Sequence, residues 1–240
     1  IYFYENPLFI NSRKNLKSFF RSDKKKYFQT SFYKSERLRL NILTGPDQNP
    51  EGGKWTYDNL NREKYPKNKL TPKIKILNTT KNHEQSIKYV HKYFKKNHGN
   101  LSGEFIYPTD FETSKNWFNE FLNNRFDEFG PYEDAILKKE SILNHSVLSP
   151  ILNIGLISPT FIINKTIEFY KKNNIRLNSC EGFIRQIIGW REFIRGIYIS
   201  KGVYERNKNF WGFTRSIPQS FYDGSTGVEP VDDTIKKINS

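Results

Sequence analysis

The stretch EGFIRQIIGWREFIRGIY, residues 181–198, decides the fold of this chain. Its apolar side chains recur at the interval of one helix face, and they are Phe183, Ile187, Trp190, Ile194 and Ile197. Beside this stripe lie three arginines, Arg185, Arg191 and Arg195. An otherwise buried helix seldom carries guanidinium groups near a tryptophan unless they meet something anionic or planar. The stretch therefore predicts a helix that lines a binding site.

The composition is that of a globular protein whose core is built from aromatic residues. Hydrophobic residues make up 36% of the 240 positions and the mean hydropathy is −0.74, but 20 Phe, 14 Tyr and 4 Trp provide large buried areas. No run is long enough to span a membrane, and no signal peptide opens the chain. The one cysteine, Cys180, excludes a disulfide framework and favours an intracellular, cytoplasmic protein.

The charge is strongly positive, with 39 Lys and Arg against 25 Asp and Glu, a formal net charge of +14. The excess lies in the segments 24–26, 64–75, 92–96 and 236–237. A polyanion such as nucleic acid is the usual partner of such a surface. The alternative is a Lys-rich coding bias on solvated faces, and composition alone leaves both open.

From about residue 77 onward the patterns are helical. Helices are expected at 24–43, 81–97, 110–124 and 159–172, and residues 44–76 read as a long connector. Thr109 with Glu112 predicts a capping box, Ser158-Pro159 predicts a helix start, and Asn178 with Glu181 is expected to open the helix that carries the stretch 181–198.

Four further segments give these patterns a family context. They are EGGKWTYDNLNR (51–62), FGPYEDAI (129–136), HSVLSPILNIGLISP (145–159) and FYDGSTGVEPVDDTI (221–235). Together with the stretch 181–198 they resemble the photolyase and cryptochrome family, and within it the bacterial deoxyribodipyrimidine-photolyase-related branch that includes (6-4) photolyases. The resemblance implies a mainly α fold, namely the N-terminal half of a helical FAD-binding domain preceded by the tail of an α/β antenna domain.

The resemblance also implies domain boundaries. Residues 1–43 would be the antenna tail with a basic helix, 44–76 the interdomain connector, and 77–240 a flavin-binding domain truncated at its C-terminus. The chain starts at Ile1 rather than Met, which favours a fragment. An antenna chromophore would belong to the part that precedes Ile1.

In the family, a hydroxyl-rich turn at a helix N-terminus holds the flavin phosphates. The resemblance transfers flavin contacts to Tyr132, His145, Ser146, Leu148, Ser149, Asn153, Gln186 and Arg191. The turn itself is His145 to Ser149, with Pro150 starting the helix. Alone, Ser-x-x-Ser-Pro is a common helix start, and Tyr132 in FGPYEDAI could equally belong to a helix entry.

The resemblance places Trp190 and Tyr222 in electron transfer or stacking and Arg191 with Arg195 against DNA. Two alternatives stay open: Trp190 as a core anchor, and the two arginines as structural ion-pair partners of Asp134, Glu133 or Glu192. Most photolyases carry an acidic residue where this chain has Ile187, and the nearest polar residue here is Gln186.

Two departures concern electron carriers. The segment VEPVDD, with Pro230, stands where relatives with an iron–sulfur cluster have their first cluster cysteine, which argues against a cluster in this chain. Several relatives also carry tryptophan in the pair Phe221-Tyr222, so Tyr222 would be a slower or proton-coupled relay.

The implied function is light-dependent repair of damaged DNA, in which reduced FAD donates an electron to a UV-induced pyrimidine lesion. The alternatives are a cryptochrome-like photoreceptor without repair and a flavin-free basic nucleic-acid-binding protein. The whole protein is expected to be a monomer with no membrane partner. Geometrically, we predict one cavity lined by Ser146, Leu148, Asn153, Gln186 and Trp190 with a basic rim.

Overall fold

The computed structural model describes residues 2, 4–74, 80–97, 99, 101 and 105–239. Its helices are α1 (Arg13–Phe19), α2 (Gln29–Leu40), α3 (Lys81–Tyr93), α4 (Phe111–Asn124), α5 (Ser149–Asn153), α6 (Pro159–Lys172), α7 (Leu177–Ile184), α8 (Glu192–Asn207), α9 (Ser220–Asp223) and α10 (Glu229–Asn239). A π-helical segment, Arg185–Arg191, joins α7 to α8. The β structure of the described residues is one isolated bridge between Thr44 and Pro50. The predicted mainly α fold is confirmed.

The chain divides into two compact units. The larger contains residues 1–74 and 108–207, and the smaller contains 75–107 and 208–240. In the smaller unit, α9 packs on α10, and the Asp232 carboxylate accepts hydrogen bonds from the backbone N–H of Thr226 (2.8 Å) and of Gly227 (3.0 Å). The predicted domain boundaries at 43 and 76 stay a prediction.

The core of the larger unit is aromatic and is centred on Phe183 of α7. The Phe183 ring contacts four other phenylalanine rings at centroid distances of 5.0 to 6.3 Å, those of Phe118, Phe121, Phe126 and Phe129. Two of these rings come from α4, whose buried residues recur at helical spacing. Burial of several aromatic side chains in one cluster offsets the low overall hydrophobic content.

A second cluster joins α1, α2 and α8 through Leu16, Phe20, Phe32 and Phe193. It depends on Gly196 of α8, because a Cβ atom at this position would lie only 2.0 Å from the Phe20 ring. The absence of a side chain lets the C-terminal end of α1 lie directly against α8.

The π segment changes which side chains of the motif helix, residues 177–207, are buried. Its wider turn adds a residue relative to an α-helix and rotates every side chain that follows. Phe183 and Ile187 are buried, as the stripe predicts, but Trp190 is 43% exposed and Ile194 is 56% exposed. The prediction of one continuous buried stripe is therefore wrong beyond Ile187.

Of the three helix starts predicted from capping patterns, the structure confirms one. Ser158 caps α6 as expected, since its hydroxyl accepts a hydrogen bond from the Phe161 N–H (3.2 Å). The capping box at Thr109 is wrong, because Asp110 caps α4 by accepting from the Thr113 N–H (2.8 Å). Asn178 does not cap α7 either: α7 begins at Leu177 after Arg176. The helix expected at 24–43 is shorter, Gln29–Leu40.

The connector contains two short 3-10 turns, Glu51–Gly53 and Asp58–Leu60, in its described part. It is anchored to the core by buried Arg37 of α2. The Arg37 guanidinium donates to the carbonyl oxygens of Ile42 (3.2 Å), Leu43 and Trp55 (2.8 Å). None of the helices that the structure describes is both long and apolar enough to cross a bilayer.

Candidate functional site

A cavity of about 510 Å³ lies between the turn 145–149 and the motif helix. Six of the predicted flavin contacts line it, namely His145, Ser146, Leu148, Ser149, Gln186 and Arg191. The predicted cavity between the turn 145–149 and the stretch 181–198 is thus present. The role of these side chains as flavin contacts stays a prediction.

The turn that forms one wall has an unusual backbone. Leu143 (φ 50°) and Val147 (φ 52°) both lie in the left-handed region, which a β-branched residue such as Val147 seldom adopts. The core holds the turn in place, because Trp117 Nε1 donates to the Ser146 carbonyl oxygen (2.8 Å) and buried Arg125 donates to the His145 carbonyl oxygen. Strain of this kind tends to persist at functional sites.

His145 braces the same turn through both ring nitrogens. Nδ1 lies 2.9 Å from the Ile142 carbonyl oxygen, and Nε2 lies 2.8 Å from the Glu133 carbonyl oxygen. Carbonyl oxygens only accept, so both hydrogen bonds form together only when the imidazole carries both protons. His145 therefore connects the turn to the segment around Glu133 more than it offers a group to a ligand.

A buried network of charges supports the opposite wall, and sequence analysis did not assign it to the site. Glu133 accepts from Asn61 Nδ2 (2.8 Å), from Arg185 Nη2 (3.2 Å) and from Gln186 Nε2. Arg185 Nε also donates to Glu181 (3.1 Å). Because Gln186 uses its amide N–H on Glu133, its side-chain oxygen is left to accept from a ligand. The signal that could have found the network was the i, i+4 pair of Glu181 and Arg185.

The pKa values in this network follow its burial. Burial raises the pKa of the Glu133 carboxyl, and the opposing effects of the Arg185 charge and the Asn61 hydrogen bond only partly offset it. Burial alone would lower the pKa of the Arg185 guanidinium, but nearby Glu181 and Glu133 raise it above its ordinary value. Arg185 is therefore a fixed positive charge behind the cavity wall.

The Arg191 and Arg195 guanidinium groups contact neutral groups, most of them in the N-terminal segment, rather than carboxylates. Arg191 Nη1 donates to Asn153 Oδ1 (2.9 Å), and Arg195 Nη1 donates to the Asn11 carbonyl oxygen. The Phe9 ring lies 4.9 Å from the Arg191 guanidinium and 4.3 Å from that of Arg195. In the described part of the chain neither arginine forms an ion pair with Asp134, Glu133 or Glu192, although the Arg195 charge acts to lower the pKa of the Glu192 carboxyl.

Asn11, which no sequence pattern had singled out, joins the N-terminal segment to α8. Its backbone N–H and its side-chain Nδ2 each donate to Glu192 Oε2 at 3.1 Å, and Nδ2 also donates to Glu36 at 2.7 Å. Burial raises the pKa of the Glu192 carboxyl, although hydrogen bonds from Ile10 and Asn11 oppose this rise.

Trp190 lies in a second cavity, of about 1050 Å³, and does not line the first. The expectation of a single cavity containing Trp190 and Asn153 is wrong, because the π segment turns Trp190 to the other side. Trp190 is also only partly buried, so it is no core anchor. Arg191 lines both cavities.

Tyr132 is not among the residues that line the first cavity, and Tyr222 belongs to the smaller unit. Tyr132 is buried against Tyr65, with ring centroids 4.7 Å apart, and the Lys69 ammonium lies 5.4 Å from its ring. Tyr222 belongs to α9 of the smaller unit, where its ring is exposed and its carbonyl oxygen accepts from Asn239 (2.9 Å). Their predicted roles in flavin contact and electron relay stay predictions.

Comparison with known proteins gives the chain a family context. Residues 1–106 match the family model of the deoxyribodipyrimidine photo-lyase-related protein. Over 198 residues, 81% of this chain, the sequence is 36% identical to a (6-4) photolyase of Agrobacterium fabrum. The chain belongs to the photolyase-related family.

Two uncharacterised proteins of Acanthamoeba polyphaga mimivirus are also similar. One is 45% identical over 104 residues, which cover 42% of this chain and 78% of that protein. The other is 41% identical over 69 residues, which cover 28% of this chain and 35% of that protein. The chain spans 38% of the length of the Agrobacterium photolyase.

Proposed function

We propose that this chain is the flavin-contacting part of a light-dependent DNA-repair protein that splits UV-induced pyrimidine lesions. The observation that carries the proposal is the cavity between the turn 145–149 and the motif helix. Its volume of about 510 Å³ lies within the usual range of small-molecule sites. Membership of the photolyase-related family supports the same function.

The residues present fit a dinucleotide such as FAD, which carries anionic phosphates and several hydrogen-bond donors. For the phosphates the cavity offers the hydroxyls of Ser146 and Ser149 and the charge of Arg191. Arg191 Nε is buried without a hydrogen-bond partner in the described part of the chain, so a bound anion would satisfy it. Glu133 and Asp134 offer acceptors to the donor groups of the ligand.

Reduced FAD, when bound, would supply the light-driven electron transfer that repair of the lesion requires. The chain's own residues bind and orient. Ser149 and Arg191 would hold the anionic part of the cofactor, and Glu133 keeps the Gln186 amide in place through a hydrogen bond. Phe129 and Phe183 exclude water from one wall. In the adjoining cavity the exposed face of Trp190 is available to stack on an extruded base.

The binding test is titration of FAD into the 240-residue chain, followed by flavin fluorescence. We expect saturable but weak binding, because the cavity is open and its hydrogen bonds are exposed to water. Arg191→Gln and Ser149→Ala should each weaken binding several-fold. Ser141→Ala, in the exposed loop before the turn, is the matched control and should leave it unchanged. Absence of saturable binding would overturn the proposal and favour a flavin-free nucleic-acid-binding protein.

Repair is tested separately from flavin binding. The protein is loaded with FAD, reduced and mixed with UV-irradiated DNA, and the lesions that remain after blue light are counted against a dark sample. A light-dependent loss of lesions supports repair. Flavin binding with no loss of lesions would instead support the cryptochrome-like photoreceptor.

A further inference from the structure

We infer that the phosphates of the bound DNA strand lie in a basic groove between α1 and α8, on cations that the proposed function does not yet use. These cations are Arg13, Lys17, Arg21 and Lys201. The inference rests on the proposed function, since it names the surface by which the same protein holds its DNA.

The groove is a third cavity of about 460 Å³ in the larger unit. Its floor is apolar and includes Leu16, Phe20 and Gly196, while the four cations form its rim. No carboxylate is among its lining residues. These four cations outnumber the one carboxylate paired with them in the described residues, that of Asp23 beside Arg21, and such an excess of positive charge attracts a polyanion through counterion release.

The sequence builds the groove from local features. Ser12 caps α1 by accepting from the Asn15 N–H (3.1 Å), and Arg13 and Lys17 then lie one turn apart on the same helix face. Gly196 lets Phe20 approach α8, which brings α1 alongside. Lys201 of α8 therefore stands on the opposite side of the groove from the α1 cations.

These cations are available to a ligand, whereas the arginines first predicted to bind DNA are partly occupied. Arg195 already donates to the Asn11 carbonyl oxygen, and Arg191 to Asn153. In the described residues, Lys17 and Lys201 form no ion pair, and Arg21 has only an exposed one with Asp23 (3.2 Å). An exposed pair of this kind contributes little and is readily exchanged for a phosphate.

The groove leads to the cavity of Trp190. Arg13 and Ile199 line both, so the two form one continuous path along α8. A base stacked on Trp190 would have its backbone running toward Arg13 and then Lys17. This continuity favours a nucleic-acid strand over a free phosphate, because a single anion would occupy one position of the row.

The test measures binding of the 240-residue chain to a lesion-containing DNA duplex by fluorescence anisotropy between about 50 and 200 mM salt. The variant combines Lys17→Gln, Arg21→Gln and Lys201→Gln. We expect its affinity at 0.1 M salt to fall at least about tenfold, and the slope of log K against log salt to fall in magnitude by about 0.9 for each lost phosphate contact.

The matched control combines Lys54→Gln, Lys67→Gln and Lys139→Gln, three exposed lysines of the larger unit that line none of these cavities. It removes the same net charge and should keep the wild-type slope. If both triple variants lose affinity and slope equally, the groove inference is wrong while DNA binding stands. If wild-type chain shows no salt-dependent DNA binding, the proposed function fails together with the inference. Equal thermal unfolding of both variants checks that neither is misfolded.

Discussion

The two halves of the motif helix have similar apolar content, but the second half is much less covered by other elements. The first half, 177–191, places Phe183, Ile184 and Ile188 in the aromatic core. The second half, Glu192–Asn207, leaves Ile194, Tyr198 and Val203 exposed. Apolar periodicity therefore predicts a helix reliably, but it does not predict which turns of the helix another element will cover.

The halves also differ in how they accommodate a buried acid. In the first, Glu181 is paired with the Arg185 guanidinium at 3.1 Å. In the second, Glu192 is held by the N–H groups of Ile10 and Asn11, and its pKa is raised. Glu181 is thus compensated mainly by a paired charge and Glu192 mainly by hydrogen bonds from neutral groups, with a smaller effect of the Arg195 charge, which predicts different responses to mutation and to pH.

The largest effect is expected in the aromatic core of the first half. Phe183→Ala should lower the free energy of unfolding by about 3–5 kcal/mol, because it opens a cavity among four packed rings. Urea unfolding followed by circular dichroism measures this. Phe183→Leu is the control and should cost clearly less. A loss below about 1 kcal/mol for Phe183→Ala would mean that the core is not closed around this ring.

Arg185→Met should follow, with a loss of about 3 kcal/mol, because it leaves the fully buried Glu181 carboxylate without its charge partner. The matched control is Arg176→Met, whose exposed pair with Asp127 spans 3.6 Å and should contribute less than about 1 kcal/mol. Equal losses in the two variants would contradict the distinction between a buried and an exposed pair.

In the second half, Glu192 should make stability depend on pH. Its folded-state pKa is raised, so the native state holds the proton more tightly than the unfolded chain does. The stabilising contribution is then present below the ordinary Glu pKa near 4.5 and is lost as the pH rises through the raised value. Glu192→Gln should flatten this decline above pH 4.5 in urea unfolding curves. An unchanged decline would assign it to Glu133, whose pKa is also raised.

The smallest effect is expected for Ile194→Ala on the exposed face of α8. The side chain is 56% exposed, so the free energy of unfolding should change by no more than about 0.5 kcal/mol. A larger loss in thermal unfolding would show that the second half is covered in solution, and it would end the contrast between the two halves.

Prediction from sequence worked where one local pattern determines the outcome. Ser158-Pro159 fixes a helix start, and the two motif segments could be matched to a family, so the mainly α fold and the meeting of the turn with the motif helix were predictable. The capping residue of α4 was missed by one position because Asp110 and Thr109 are both good caps, and only the backbone direction chooses between them.

The rest of the site depends on contacts between residues that are distant in sequence. Glu133 meets Asn61 and Arg185 across 72 and 52 positions, and Asn11 meets Glu192 across 181. Such contacts leave no periodic pattern of apolar or charged residues in the sequence. The exposure of Trp190 was also unpredictable. It follows from the π-helical segment, and the spacing of apolar residues in the sequence does not reveal a change from α- to π-helix.

Because the segment Arg185–Arg191 is π-helical, the number of its residues matters as much as their identity. A π turn amounts to one inserted residue in a helix that otherwise continues unbroken through both sides. Losing a single residue between Gln186 and Trp190 would restore regular winding and swing Trp190 by about 100° relative to α7. A deletion that no hydropathy scale registers would then move the indole from one cavity to the other.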